Sequence, residues 1–291
     1  MFTERSLLCE GDSPMLLRKP FLLLLAVCVL LAPWSRSTEE TITVGLIPDG
    51  LTTEDRAPLR DYLTKALGHP VKLVAPDRYA ETVAHLEDGS FDFACLGALM
   101  YVRSHAKLGV IPLVQRSSDL QFHAVFIAGT SSGIYSLKDL KGKRFAFGDV
   151  NSASGHLIPF LELKEAGLDP DTDLKTQFSG AHTVTAALVA SGAVDAGVLD
   201  ESVLNSMISS GKISGSKVRV IHTSRSFVDY VYVSRKGVSE AEREKFSQAL
   251  LDLKEGRDDD VLKVLRAKKF VAANDQEYDT MRRIAKERNL F

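Results

Sequence analysis

The residues best suited to chemistry lie between Gly148 and His156, where Ser152 and Ser154 stand one residue apart and Gly155 follows. Paired hydroxyls beside a glycine suit the capture of a small oxyanion. An apolar run ends at Phe147, and Leu157, Ile158, Pro159, Phe160 and Leu161 follow the turn. That order predicts a buried strand, a tight turn and the first turn of a helix. The first N–H groups of a helix lack intrahelical acceptors and lie at the positive end of its dipole. Together with the hydroxyls they could hold an anion without a full Lys or Arg charge. Ordinary N-capping by Ser152 or Ser154 is the competing account. One helix end contributes only about 0.3–1 kcal/mol when exposed, so a binding site needs several donors to converge.

The rest of the chain supplies elements that could bring donors together. Residues 41–47 read as a strand, 56–67 as an amphipathic helix closed by Gly68, and 71–74 as a second strand. Residues 79–86 read as a helix stopped by Gly89, and 91–96 as a third strand. A second set follows: strands at 124–128 and around Phe145, a short capped helix and turn at 136–143, the helix after Gly155, and Thr176, Gln177 and Phe178. A helix at 183–190 stopped by Gly192 and strands at 193–199, 218–221 and 229–233 complete it, and 239–291 reads as largely helical. Ser239 with Glu242 approximates a capping box. Short apolar strands alternating with helices predict α/β layering with mostly parallel sheets.

Two phrases share one plan. Residues 86–94 and 189–197 each run from a helix end through a glycine (Gly89, Gly192) and two spacers to Asp92 or Asp195 and a buried strand. Two similar lobes are the simplest account, with a cleft between them. The chain would leave the first lobe near Val125 and return near Tyr230, giving 38–125 with 230–291 as one lobe and 126–229 as the other. Asp92 and Asp195 read as structural.

At 291 residues and 45 % hydrophobic, the chain can bury a sizeable core. A net charge of −2 and the lack of a basic stripe exclude a nucleic-acid binder. Residues 1–37 read as a secretory signal: Arg18 and Lys19 are basic, 21–32 is apolar but short for a span, and Ser35 and Ser37 are placed for cleavage. Glu4, Glu10 and Asp12 precede the basic pair, so Met15 is the more natural start. An exported, periplasmic protein is expected, tethered to the membrane if the leader stays uncleaved. Of three cysteines, Cys9 and Cys28 fall in this leader and Cys95 remains, so no intrachain disulfide is expected after cleavage.

Taken in order, these phrases resemble a family: the periplasmic solute-binding proteins for phosphonate, phosphite and related phosphorus oxyanions that serve ATP-driven importers. The matching stretches are 44–49, 59–63, 67–71, 89–101, 137–144, 152–159, 180–182 and 192–196. The resemblance implies a type II two-lobed binding protein, a membrane permease as partner, a monomer, and neither cofactor nor metal. It implies that Ser152, Ala153, Ser154 and Gly155 grip phosphoryl oxygens, that Tyr101 lines the opposite wall and that His182 faces the pocket. Asp200, Glu201 and Asp229 would contact the variable end of the ligand, and His123 is a further candidate. An ionised carboxylate only accepts hydrogen bonds, so one such acid favours a ligand with a protonated oxygen or an amine over sulfate. The chain departs from the family's pattern at Ala98, where Pro is usual, at His156 for Tyr, and at Phe122 and His123.

Rival classes have less support. No nucleophile elbow, Walker loop, H-E-x-x-H or dinucleotide fingerprint is present, so nothing pairs a base with a nucleophile and an enzyme is not expected. Asp258, Asp259 and Asp260 lack the spacing of a calcium loop and read as a solvated face. The alternative function is a ligand-binding sensor module that signals to a membrane partner.

Overall fold

The computed structural model describes residues 40–47 and 51–291. The leader and the Met15 start lie outside them, as do Pro48 and Asp49 of the first matching phrase. The chain begins as expected with β1 (Ile42–Gly45), α1 (Ala57–Leu67), β2 (Val71–Val74), α2 (Tyr79–Glu87) and β3 (Phe93–Leu96), then adds two elements the sequence pattern did not indicate, α3 (Ala98–Leu108) and β4 (Ile111–Arg116). Gly68 closes α1 in the left-handed region at φ 74°, where an L side chain would be strained. The second set runs β5 (Ala124–Gly129), β6 (Arg144–Phe147), a π-helical turn (Ala153–Leu157), α4 (Ile158–Glu165), α5 (Pro170–Asp173), β7 (Lys175–Phe178), α6 (His182–Ser191), β8 (Ala196–Asp200), α7 (Glu201–Ser209) and β9 (Val218–Thr223). The chain then closes with β10 (Val231–Ser234), α8 (Glu240–Leu251), α9 (Asp259–Leu265), β11 (Phe270–Ala272) and α10 (Asp279–Glu287).

Among the described residues the strands form two sheets, ordered β11-β4-β10-β3-β1-β2 and β7-β6-β8-β5-β9. Both are mixed. β2, β1 and β3 run parallel, as do β7, β6 and β8. The strand that follows each crossing enters against its neighbours: β5 is antiparallel to β8 and β9, and β10 to β3 and β4. The crossing segments pair through an isolated bridge, Phe122 with Phe227, and Val125 already belongs to the second sheet. Residues 239–291 are less helical than expected, because β11 adds an edge strand to β4. The Ser239 and Glu242 cap is a full reciprocal box at the start of α8.

The repeated aspartates do the same job twice. Asp92 exchanges backbone hydrogen bonds with Thr43 at the head of β1, its carboxylate taking the Thr43 N–H at 2.9 Å. Asp195 does so with Arg144 at the head of β6, also at 2.9 Å. Core clusters cover both faces of each sheet. One of them carries Ala153, Leu157 and Ile158 of the second lobe onto α3 and α10 of the first.

Candidate functional site

Five helix starts converge where the lobes meet. α2, α3, α6 and α7 each begin just beyond a strand end, with Tyr79, Ala98, His182 and the cap Asp200 in their opening turns. The π-helical turn beyond β6 opens with its cap Ser152. The carboxyl edges of the strands therefore place every one of these residues at one crevice, as open α/β sheets do. Tyr79, Ser152, Ser154, His182, Asp200, Asp229 and Tyr230 are each at most 4 % exposed.

Hydrogen bonds cross from lobe to lobe. His182 Nε2 lies 3.1 Å from Tyr230 Oη and 3.5 Å from Tyr79 Oη, and the two phenols are 3.4 Å apart. The Asp200 N–H donates to His182 Nδ1 at 3.3 Å, so that nitrogen is bare and Nε2 carries the proton. Burial pushes the His182 pKa down and the phenol pKa values up, which leaves a neutral imidazole and two intact O–H donors. Ser152 Oγ accepts the Gly155 N–H at 2.9 Å and keeps its own proton to give. Gly155 is required by contact: a Cβ there would stand 3.0 Å from Ser152 Oγ and 3.2 Å from His182 Cε1. Ser152 therefore caps the helix and still has a donor to spare.

The two carboxylates face donors on one side only. Asp200 Oδ1 caps α7, accepting from Ser202 N at 2.6 Å and Val203 N at 3.3 Å. Asp229 Oδ1 accepts the Ala98 N–H at 2.9 Å. Proline, usual at that position in the family's pattern, could not make this bond. Asp200 Oδ2, Asp229 Oδ2 and the Ser154 hydroxyl are buried with no hydrogen-bond partner. Burial raises the Asp229 pKa to about 7, held from going higher by the Ala98 N–H and the nearby Ser154 side chain. The crevice thus offers several O–H and N–H donors, two unsatisfied carboxylate oxygens and a proton that can sit on either side. A tetrahedral oxyanion that still carries one proton satisfies all three.

Ser152, Ala153, Ser154, Gly155, His182, Asp200 and Asp229 come together here. Three sequence candidates lie elsewhere. Tyr101 points its hydroxyl at Asp275 Oδ1, 2.6 Å away, and packs edge-on against Tyr278. His123 donates to the Ser224 carbonyl at 2.8 Å beside the interlobe bridge. Glu201 is exposed on the first turn of α7. His156 packs edge-on among Phe147, Phe160 and Phe178. Tyr79 and Tyr230 were missed by sequence reasoning, although each sits at an element boundary, one opening α2 and one next to Asp229. Among the described residues no group of three or more His, Cys, Asp or Glu could hold a metal ion, and no helix is long and apolar enough to cross a membrane.

Known proteins resemble this chain over most of its length. A family model described as the periplasmic substrate-binding protein of phosphonate ABC transporters matches residues 47–278. The chain is 30 % identical over 273 residues to the probable ABC transporter phosphite binding protein PhnD1 of Prochlorococcus marinus (strain MIT 9301), covering 87 % of this chain and 91 % of that one. The solved structure of that organism's PhnD1 in complex with methylphosphonate matches with a TM-score of 0.80 at 27 % identity, over 87 % of this chain and 100 % of that chain. A binding protein component of an ABC phosphonate transporter from Pseudomonas aeruginosa shares the fold, with a TM-score of 0.79 at 22 % identity over 86 % and 87 % of the two chains. Matched by a family model over most of its length and by a relative covered almost throughout, the chain belongs to the periplasmic substrate-binding proteins of phosphonate ABC transporters.

Proposed function

We propose that this chain captures a phosphorus oxyanion (a phosphonate, phosphite or phosphate) in the interlobe crevice and delivers it to a membrane permease. The observation that carries the reading is the set of buried groups without partners. The Ser154 hydroxyl and one oxygen each of Asp200 and Asp229 meet at converging helix starts. Leaving such groups unsatisfied costs about 1–3 kcal/mol each. A protonated phosphoryl group would satisfy them, since its oxygens accept from Ser152, Ser154, His182 and the phenols while its O–H donates to a carboxylate. Sulfate has no proton to give at neutral pH and would face the carboxylates with charge alone.

The mechanism is binding-linked closure. Ser154 and His182 belong to one lobe and Tyr79, Tyr230 and Asp229 to the other or its border, so the ligand completes its shell only when the lobes meet. Binding then shifts the population toward that state, and the permease would read the resulting outline. No bond-breaking step is involved, and the protein acts as an exported monomer. A thermal-shift panel of phosphate, phosphite, methylphosphonate, 2-aminoethylphosphonate and sulfate tests the reading. Ligand at 100-fold its dissociation constant adds about 2.7 kcal/mol, which raises the midpoint of a chain this size by roughly 5–10 °C. A response to sulfate alone, or to none of the phosphorus compounds, would overturn the proposal.

A further inference from the structure

A second set of groups lies at the same edge of the first sheet. There a cavity of about 40 Å³ is lined by Leu46, Leu59, Cys95, Arg116, Tyr232 and Arg266. One water needs about 10–15 Å³ measured this way, so the space admits a carboxylate-sized group. One lining group reaches toward the crevice: the Arg116 guanidinium lies 5.1 Å over the ring of Tyr230, the residue whose hydroxyl meets His182.

Two guanidinium groups line this cavity, and Asp119 and Asp200 both act on the first of them, Arg116. Arg116 spends its guanidinium on Asp119, with contacts of 2.8 and 2.6 Å that occupy both carboxylate oxygens. Arg266 has no such partner. It makes no ion pair or side-chain hydrogen bond among the described residues, and its Nε is buried without an acceptor. Nor is it a loose surface arginine at a helix end. It ends α9 in the left-handed region at φ 48°, a conformation costly for any side chain but glycine. Its charge reaches Cys95, Tyr232 and His182, lowering the pKa of each against the effect of burial or alongside it. The other carboxylate acting on Cys95 is Asp229, whose charge burial suppresses.

We propose that this cavity receives the distal end of the bound phosphonate, and that Arg266 makes a ligand with an anionic distal group the preferred class. The inference rests on the phosphoryl site described above and adds its specificity. A guanidinium fits a carboxylate or second phosphoryl group in fork geometry. It repels the ammonium of an aminoalkylphosphonate.

Calorimetry on the full chain with phosphonoacetate, 3-phosphonopropionate, methylphosphonate and 2-aminoethylphosphonate tests this, for the natural protein and for Arg266→Gly and Arg266→Lys. Glycine suits the left-handed position, so the first variant removes the charge without opposing the fold. At least one carboxylated ligand should bind tenfold or more tightly than 2-aminoethylphosphonate. Arg266→Gly should weaken that ligand at least tenfold more than it weakens methylphosphonate, and Arg266→Lys should restore part of the difference. Methylphosphonate binding with no advantage for either carboxylated ligand would overturn the subsite alone. So would an equal loss for all ligands in Arg266→Gly. Silence of the natural protein toward every phosphorus oxyanion would overturn the phosphoryl site, and this inference with it.

Discussion

His182 Nε2 and Tyr230 Oη lie 3.1 Å apart and belong to different lobes. The imidazole's proton position is fixed from behind, because the Asp200 N–H occupies Nδ1. A donor of known direction therefore points out of the second lobe at a phenol of the first. The pair is a gauge of interlobe fit.

Tyr230→Phe removes the acceptor and one O–H donor while keeping the ring under Arg116. The buried imidazole N–H would retain only Tyr79 Oη at 3.5 Å. Hydrogen bonds to charged groups are worth about 1.5–3 kcal/mol, so ligand affinity should fall roughly 10- to 100-fold. Isothermal calorimetry on a responding oxyanion measures it. An unchanged dissociation constant would place Tyr230 outside the ligand shell.

Ser152 and Ser154 should separate cleanly. Ser152 caps the helix through the Gly155 N–H, so Ser152→Ala costs about 1 kcal/mol of stability besides any loss of affinity. The Ser154 hydroxyl caps no backbone N–H and lies only near the Asp229 carboxyl. Ser154→Ala should leave the ligand-free melting midpoint unchanged or raise it, yet weaken binding about 10- to 100-fold. Equal destabilisation by the two substitutions would contradict the division of labour.

Asp229 makes stability depend on pH in an unusual direction. Its folded pKa of about 7 lies above the ordinary 3.8. Between about pH 4 and 7 the folded chain keeps a proton that the unfolded chain has released, so this residue's contribution falls as the pH rises through that window. His182 acts oppositely. Its pKa is lowered by burial, and its contribution is lost as the pH falls below about 6.5. Asp229→Asn should therefore raise the ligand-free midpoint at pH 8 and change it little at pH 4–5. Asn can still accept the Ala98 N–H. Thermal melts from pH 4 to 9 decide it, and parallel curves for both proteins would refute the assignment.

What the sequence revealed was the part carried by local pattern. Glycine stops, the strand periods and the Ser152 to Gly155 turn depend on neighbours in the chain, and each appears within a few residues of its expected place. β11 did not, because three residues next to Lys268 and Lys269 become a strand only when β4 offers an edge. The site divided in the same way. His182 lies in a matched phrase, whereas Asp200 and Asp229 were reached only through the resemblance, and all three meet at the crevice. Tyr101 stands apart from the crevice because a buried tyrosine satisfies its hydroxyl wherever a partner lies, and here Asp275, 174 residues away, takes it. Tyr79 and Tyr230 acquire meaning only once the lobes bring their hydroxyls to within 3.4 Å.

The departure at Ala98 has a measurable consequence. Its N–H is a donor to Asp229 Oδ1 and one of the influences holding that carboxyl's pKa down. Ala98 opens α3 behind Gly97, whose φ of −71° and ψ of 157° suit a residue before proline. Proline is well tolerated at the first position of a helix, where no intrahelical bond is lost. Ala98→Pro should thus fold normally while stripping Asp229 of its backbone donor. The Asp229 pKa should then rise further, and the pH at which affinity for a singly protonated oxyanion changes should move upward with it. Calorimetric titrations from pH 5 to 9 on both proteins measure that midpoint. Coincident profiles would mean that the Ala98 N–H does not set the protonation of the site.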